Sequence, residues 1–148
     1  MKLNEFISLS SIHLNVEADS VKNIFKKISI LFSKRDQEKA SNILAKLNER
    51  ERLGSTGVGN GVAIPHTKII GLKKTQVIFV KLNNAVDFSS ADKKKVDLIF
   101  SILAPENSQS EHLLILSSIS NFLRNKVRIK ELREAKDPEK ILAIFSNT

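Results

Sequence analysis

The stretch Arg50-Glu51-Arg52-Leu53-Gly54-Ser55-Thr56-Gly57-Val58-Gly59-Asn60-Gly61-Val62-Ala63-Ile64-Pro65-His66 places four of the chain's five glycines within eight residues and ends on an imidazole. Glycines this close together permit positive φ and let successive N–H groups turn toward one point, which makes a nest for an anion. Val62-Ala63-Ile64 is an apolar run of the kind a buried strand uses, and Pro65 fixes φ immediately ahead of His66. The ring is therefore expected at a strand end, beside the nest, with little freedom to leave one transfer geometry. A histidine so placed has the chemistry to accept a phosphoryl group. The free imidazole of histidine has a pKa of about 6.5, so this side chain type is available as a neutral nucleophile near pH 7.

Outward from this stretch the chain alternates strands and helices. Upstream, Ile12, Leu14 and Val16 alternate with polar neighbours over residues 11–17, the period of a half-buried strand. Asp19 or Ser20 then caps a helix whose inward face is Val21, Ile24, Phe25, Ile28, Leu31 and Phe32. A second helix is expected to start at Asp36, turn Ala40, Ile43, Leu44 and Leu47 inward, and finish near Arg50 at the mouth of the glycine loop. Downstream, residues 77–80 and 96–103 read as strands covered on both faces, with a polar loop over residues 85–95 between them. Ser108 and Glu111 have capping-box spacing for a helix with His112 in its first turn and Leu113, Leu116, Ile119 and Leu123 in its body. A helix over residues 126–135 follows, and Asp137-Pro138 supplies the N-cap and first-position proline of a last one carrying Ile141, Leu142 and Phe145. No repeat or linker interrupts the series. The pattern predicts one α/β domain over residues 1–148, with a mixed β-sheet sandwiched by α-helices.

Composition narrows the function classes. At 148 residues and 41% hydrophobic, the chain can bury one core. It has no run of about 18 apolar residues, and Met1-Lys2-Leu3-Asn4-Glu5 carries an acid where a secretory signal builds its apolar stretch. No membrane insertion and a cytoplasmic location are expected. Without cysteine there is no disulfide framework, thiolate nucleophile or thiol zinc site, and the widely spaced His13, His66 and His112 give no metal-ligand pattern. The glycines read G-x-G-x-G, and no lysine followed by Ser or Thr closes the loop, so neither a dinucleotide fingerprint nor a nucleotide P-loop is present. No cofactor is expected. The formal charge of +8 raises the alternative of a basic nucleic-acid-binding module. The lysines are spread over several elements, however, and Tyr and Trp are absent, so no stacking platform is seen and no nucleic acid is expected. A basic rim that steers an acidic protein partner uses the same charge, with Lys68 at the mouth of the site.

The string from Gly54 to Gly61 with Ala63-Ile64-Pro65-His66, supported by Asp87-Phe88, Val96-Asp97-Leu98-Ile99-Phe100 and His112-Leu113, resembles the enzyme IIA phosphocarriers of the bacterial phosphoenolpyruvate-dependent phosphotransferase system (PTS), fructose/mannitol type. It is most similar to their nitrogen-regulatory branch, and the resemblance covers nearly the whole chain. The resemblance implies the same α/β fold and a phosphotransferase component that is itself transiently phosphorylated. It also implies that His66 accepts the phosphoryl group through Nε2 from an HPr-like carrier. His112, by position alone a capping or surface histidine, is implied to lie against His66 and orient the phosphoryl oxygens. Arg50, otherwise a cation at a helix C-terminus, is implied to donate parallel hydrogen bonds to them. Ser55, Thr56, Gly57, Gly59, Asn60 and Gly61 form the candidate phosphoryl-binding loop, although the two hydroxyls serve a turn equally well. Nδ1–H of His66 is left to donate to a carbonyl or carboxylate that the sequence does not name. His13 matches nothing in the family pattern and reads as structural, and Glu51 and Arg52 read as solvent-exposed. Downstream partners are regulatory targets such as sensor kinases or potassium-transport components, or alternatively a IIB domain in sugar transport. The lack of a fused membrane or cysteine-bearing domain favours regulation.

Overall fold

A computed structural model describes residues 2–36 and 38–147. Two 3-10 turns, Leu3–Glu5 and Leu9–Ser11, lead into β1 (Ile12–Val16), α1 (Val21–Asp36), α2 (Ala40–Arg52), β2 (Gly57–Gly59), β3 (Val62–Ala63) and β4 (His66–Ile69). These are followed by β5 (Gln76–Val86), β6 (Val96–Pro105), α3 (Glu111–Leu123), α4 (Lys126–Glu134) and α5 (Pro138–Ser146).

β6 is the centre of the sheet because nearly all its side chains are apolar and can be buried on both faces. One of its edges pairs antiparallel with β5, where Phe79 faces Phe100, and the other pairs parallel with β3 and β4. β1 adds parallel to β5, and β2 adds antiparallel to β3. The sheet is mixed, as expected. Its strands alternate between two apolar layers. Val77, Phe79, Phe100 and Ile102 pack against α3, α4 and α5, whereas Ile78, Val80, Ile99 and Leu103 pack against α1 and α2. In the first layer the rings of Phe79, Phe100 and Phe145 meet with centroids 5.0–5.8 Å apart.

Side-chain caps open α1, α4 and α5, those at Ser20 and Asp137 as read from the sequence. Ser20 Oγ accepts the Asn23 N–H at 3.0 Å, Asn125 takes the first N–H groups of α4, and Asp137 accepts the Lys140 N–H at 2.9 Å ahead of Pro138. Four boundaries differ. α1 continues through Asp36 and α2 starts at Ala40, and Ser33 Oγ–H of α1 donates to the Glu38 carbonyl at 2.6 Å ahead of α2. β5 extends through Ala85 and Val86, since its ladder with β6 resumes at Val86 opposite Val96 after an irregularity beyond Lys81. β6 runs on to Pro105, which pairs with Ile69 of β4. The capping box expected of Ser108 and Glu111 does not form. The Ser108 N–H closes a turn on the Pro105 carbonyl at 2.9 Å, and Ser110 occupies the N-cap of α3.

Candidate functional site

Residues 62–69 run beside β6 at one constant register, with Ala63 opposite Ile99 and His66 opposite Ile102. β3 and β4 are thus two parts of one line interrupted at Ile64-Pro65. Proline has no N–H to offer the ladder. Its carbonyl is nevertheless held twice, by the Ile102 N–H at 3.0 Å and by Oγ–H of fully buried Ser101 at 2.8 Å. His66 therefore does not end a strand. It begins the next one, directly after a break that is pinned to the centre of the sheet.

The break also turns the Ile64 carbonyl toward the His66 ring, and Nδ1 lies 2.7 Å from that oxygen. A carbonyl oxygen only accepts, so Nδ1 carries the proton, and in the neutral ring the lone pair is on Nε2. Ile64 is the tautomer-fixing partner that the sequence leaves unnamed.

His66 borders a cavity of about 270 Å³ that also takes in Arg50, Lys68 and His112, over a floor of Ile102, Ala104 and Leu116. Arg50 arrives from the last turn of α2, where a cation complements the negative end of the helix dipole, and its Nη1 donates to the Gly54 carbonyl at 2.9 Å. His112 is the second residue of α3. Burial lowers its pKa below the ordinary histidine value, and the neighbouring Lys68 and then His66 act in the same direction. Its Nδ1 is buried with no hydrogen-bond partner among the described residues. Lys68 reaches in from β4 and donates through Nζ to the Ser108 carbonyl at 3.2 Å. It is half-buried in the cleft wall, closer in than the rim position assigned from sequence. The signal for this was available: residues i and i+2 of a strand share a face, so Lys68 must accompany His66. The cavity can hold an anion between two cations and two imidazoles. No group of three or more His, Asp and Glu side chains among the described residues is arranged to hold a metal ion.

The glycine segment is built differently from an open nest. Asn60 and Gly61, at φ 57° and 77°, make the tight turn between β2 and β3, a conformation that Asn and Gly tolerate best. Several N–H groups of the segment serve acceptors inside the chain. The Thr56 N–H donates to Glu51 at 3.0 Å, the Gly57 N–H to Ser55 Oγ at 3.0 Å and the Asn60 N–H to Asp92 at 2.9 Å. The bond from Asn60, followed by that from Lys94, holds the Asp92 carboxyl below the usual carboxylate range. Buried Thr56 also donates its hydroxyl to Glu51 at 2.7 Å. Glu51 is consequently half-buried and structural, where the sequence reading leaves it in solvent. Ser55 and Gly57 lie against the β5–β6 loop, Ser55 Oγ–H bonding the Phe88 carbonyl and Gly57 leaving no room for a Cβ beside Ser90. Gly59 completes β2 at φ 93°. The loop thus fixes the entry to β3, while the residues gathered around the His66 ring are Arg50, Lys68 and His112.

Comparison with known proteins gives a consistent relationship. Residues 5–148 match the family described as phosphoenolpyruvate-dependent sugar phosphotransferase system, EIIA 2. The chain is similar to a nitrogen regulatory protein homolog of Haemophilus influenzae, 36% identical over 156 aligned residues that span 100% of this chain and 93% of the relative. The crystal structure of nitrogen regulatory protein IIA-Ntr from Neisseria meningitidis superposes with a TM-score of 0.91 at 35% identity, covering 97% of this chain and 98% of that one. The crystal structure of IIA mannitol from Escherichia coli shares the fold with a TM-score of 0.79 at 21% identity, covering 93% and 97% of the two chains.

Proposed function

Since this chain belongs to the EIIA 2 family of the phosphoenolpyruvate-dependent sugar PTS and is related over its full length to nitrogen regulatory proteins, we propose that it carries a phosphoryl group on His66 and acts mainly in regulation. The observation that carries the assignment is the Nδ1 contact with the Ile64 carbonyl, because it leaves Nε2 as the attacking nitrogen of a ring that borders a cationic cleft. An HPr-like phosphohistidine donor meets His66 in line. The P–N bond to the donor ring breaks as the bond to Nε2 forms, and the electron pair returns to the donor imidazole. Nδ1–H keeps donating to the Ile64 carbonyl, whose dipole supports the positive charge that develops on the His66 ring. Arg50 and His112 hold the phosphoryl oxygens, and Lys68 adds charge from the same wall. Catalysis is positioning and charge stabilisation. Ser55, Thr56, Gly57, Gly59, Asn60 and Gly61 contribute by holding the approach to β3, which sets where Pro65 and His66 fall.

In this reading residues 1–148 act as one domain in the cytoplasm, and the free and phosphorylated forms are read by target proteins. Among the described residues no helix is long and apolar enough to cross a membrane. The test is intact-mass analysis after incubation with phosphoenolpyruvate, enzyme I and an HPr-type carrier. The wild-type chain should gain one phosphoryl increment that is lost in mild acid and kept in mild base, as a phosphoramidate is. His66→Ala should gain none while keeping its far-UV spectrum. A full increment on that variant would overturn the assignment, and acid-stable label would point to Ser55 or Thr56. Onward transfer to a sugar-specific IIB domain, without effect on a regulatory target, would place the chain in the sugar branch instead.

A further inference from the structure

A second charged cavity lies at the other end of β6. It is about 390 Å³ in volume, within the range of small-ligand sites, and it contains Lys94, Lys95, Lys126, Lys130 and Arg133 with a single carboxylate, Asp97. Asp97 and Ile102, the latter in the floor of the histidine cleft, are five residues apart on β6, about 17 Å along an extended strand. The two cavities are therefore separate.

We propose that this second cavity binds a polyphosphate group, an anion of two or three linked phosphates. Its one acid is already committed. Asp97 takes Arg133 Nε at 3.0 and 3.1 Å and Nη2 at 2.9 Å, while Nη2 also donates to the Asn60 carbonyl at 2.6 Å. The guanidinium is thus locked by its Nε–Nη2 edge, with the Nη1 edge directed away from Asp97. Lys126 and Lys130 stand one turn apart on the same face of α4. The acid paired with Lys130 is Glu134 at 3.8 Å, and both side chains are mostly exposed, so the pair neutralises little. α4 is itself anchored to the sheet. Lys81 Nζ donates to the carbonyls of Leu132 at 3.1 Å and Ala135 at 2.8 Å, which holds the lysine-bearing face over the cavity. The first turn of α4 contains Lys126 and Arg128 and no acid, the reverse of what the helix dipole favours. A multiply charged anion offsets this arrangement and can engage several of the lysines at once. A singly bridging anion reaches fewer of them.

The apolar part of the lining, Ala85 and Ile129, has no ring on which a base can stack. Recognition here is of linked phosphate charge by exposed lysines and Arg133 around an open cavity, and the lack of a stacking ring favours a small polyphosphate over a nucleic-acid strand.

The test titrates the full chain with sodium tripolyphosphate by calorimetry and follows amide and lysine resonances at near-physiological salt. Binding should be at least about tenfold tighter than for orthophosphate and should weaken as salt rises, with shifts at Lys94, Lys95, Lys126 and Lys130. Lys126→Glu/Lys130→Glu should lower the affinity at least about tenfold and leave phosphoryl acceptance from the HPr-type donor unchanged, whereas Lys22→Glu/Lys26→Glu on α1, the same change of charge elsewhere, should have little effect. His66→Ala should bind tripolyphosphate as the wild type does. Loss of binding in His66→Ala, equal losses in the two lysine double variants, or affinity no better than for orthophosphate would overturn the proposal. So would a single-stranded oligonucleotide that binds these lysines while tripolyphosphate does not.

Discussion

Each histidine of this chain has a different use for its ring, and its neighbours decide which. At His66 the Ile64 carbonyl commits Nδ1 to donation, so the proposed chemistry belongs to Nε2. At His112 burial and then Lys68 lower the pKa, and its Nδ1 has no partner among the described residues, which fits the proposed contact with a phosphoryl oxygen. His112→Ala and Arg50→Ala should therefore still accept the phosphoryl group, but about 100- to 1,000-fold more slowly, as expected for loss of a donor worth about 2.7–4 kcal/mol in the transition state. Rapid-quench measurement of transfer from the phosphorylated carrier checks this, and wild-type rates in both variants would remove them from the mechanism. His13 lies outside the site. Its Nε2 is buried without a hydrogen-bond partner among the described residues, and burial, then Arg35 and Lys34, lower its pKa. Because the fold prefers the neutral ring, the unfolded chain binds the proton more readily. The contribution of His13 to stability is complete above its unfolded pKa of about 6.5 and falls as pH drops through that value toward the lower folded one. His112 has the same sign. Urea unfolding at about pH 7.5 and about pH 5.5 should show a smaller acid loss for His13→Val than for wild type, and equal losses would deny His13 this role.

The glycine hairpin β2–β3 and the β3–β4 line are where element geometry positions the site. Gly61 is required twice over. Its φ is 77°, and a Cβ there would come 2.3 Å from Arg133 Nη2 and 3.2 Å from Asp97 Oδ1. Gly71 has a similar φ of 85° but nothing within 4 Å of a Cβ. Gly71→Ala should cost only the left-handed backbone penalty, about 1–2 kcal/mol, and Gly61→Ala should cost clearly more, because Arg133 is pinned by Asp97 and cannot swing aside freely. Equal shifts of the urea midpoint would mean that Arg133 gives way. Much of this element scale was legible. The cluster of glycines announced positive-φ backbone, which Gly59 and Gly61 adopt, but it read as an open nest where the structure has a hairpin turn, while Val62-Ala63-Ile64 announced a buried strand. The acceptors of the turn's N–H groups were not legible, because Glu51 and Asp92 reach it from a helix end and from a loop more than thirty residues downstream.

At the scale of the whole molecule, one sheet separates two apolar layers, and the histidine cleft and the lysine cavity sit toward opposite ends of the same central strand. Phe100 is fully buried in the layer under α3, α4 and α5, with Phe79 and Phe145 against its ring. Phe100→Ala should cost about 3–5 kcal/mol, a large part of the 5–15 kcal/mol typical of a domain, and thermal unfolding should show a correspondingly lower midpoint. A change of less than about 1 kcal/mol would mean that the layer closes over the gap. Local pattern was enough to establish the α/β class, a strand over Ile12–Val16, a cap at Asp19 or Ser20, the cap at Asp137, and a family motif ending on His66. Those features depend on neighbours a few residues apart, where period and cap chemistry act directly. Local pattern did not show the break at Asn15, φ 56°, which turns Val16 to the α1 side while Ile12 and Leu14 pack in the other layer. Tertiary structure alone decided that β4 resumes beside β6 after Pro65 and that Ile64 fixes the His66 ring, whereas Arg50 and His112 at His66 were implied by the family resemblance and Lys68 follows from strand spacing. Tertiary structure also carried the loop's donors to Glu51 and Asp92. These contacts follow from the register of strands and the docking of helices onto them, which arise only when the sheet closes and which no local period encodes.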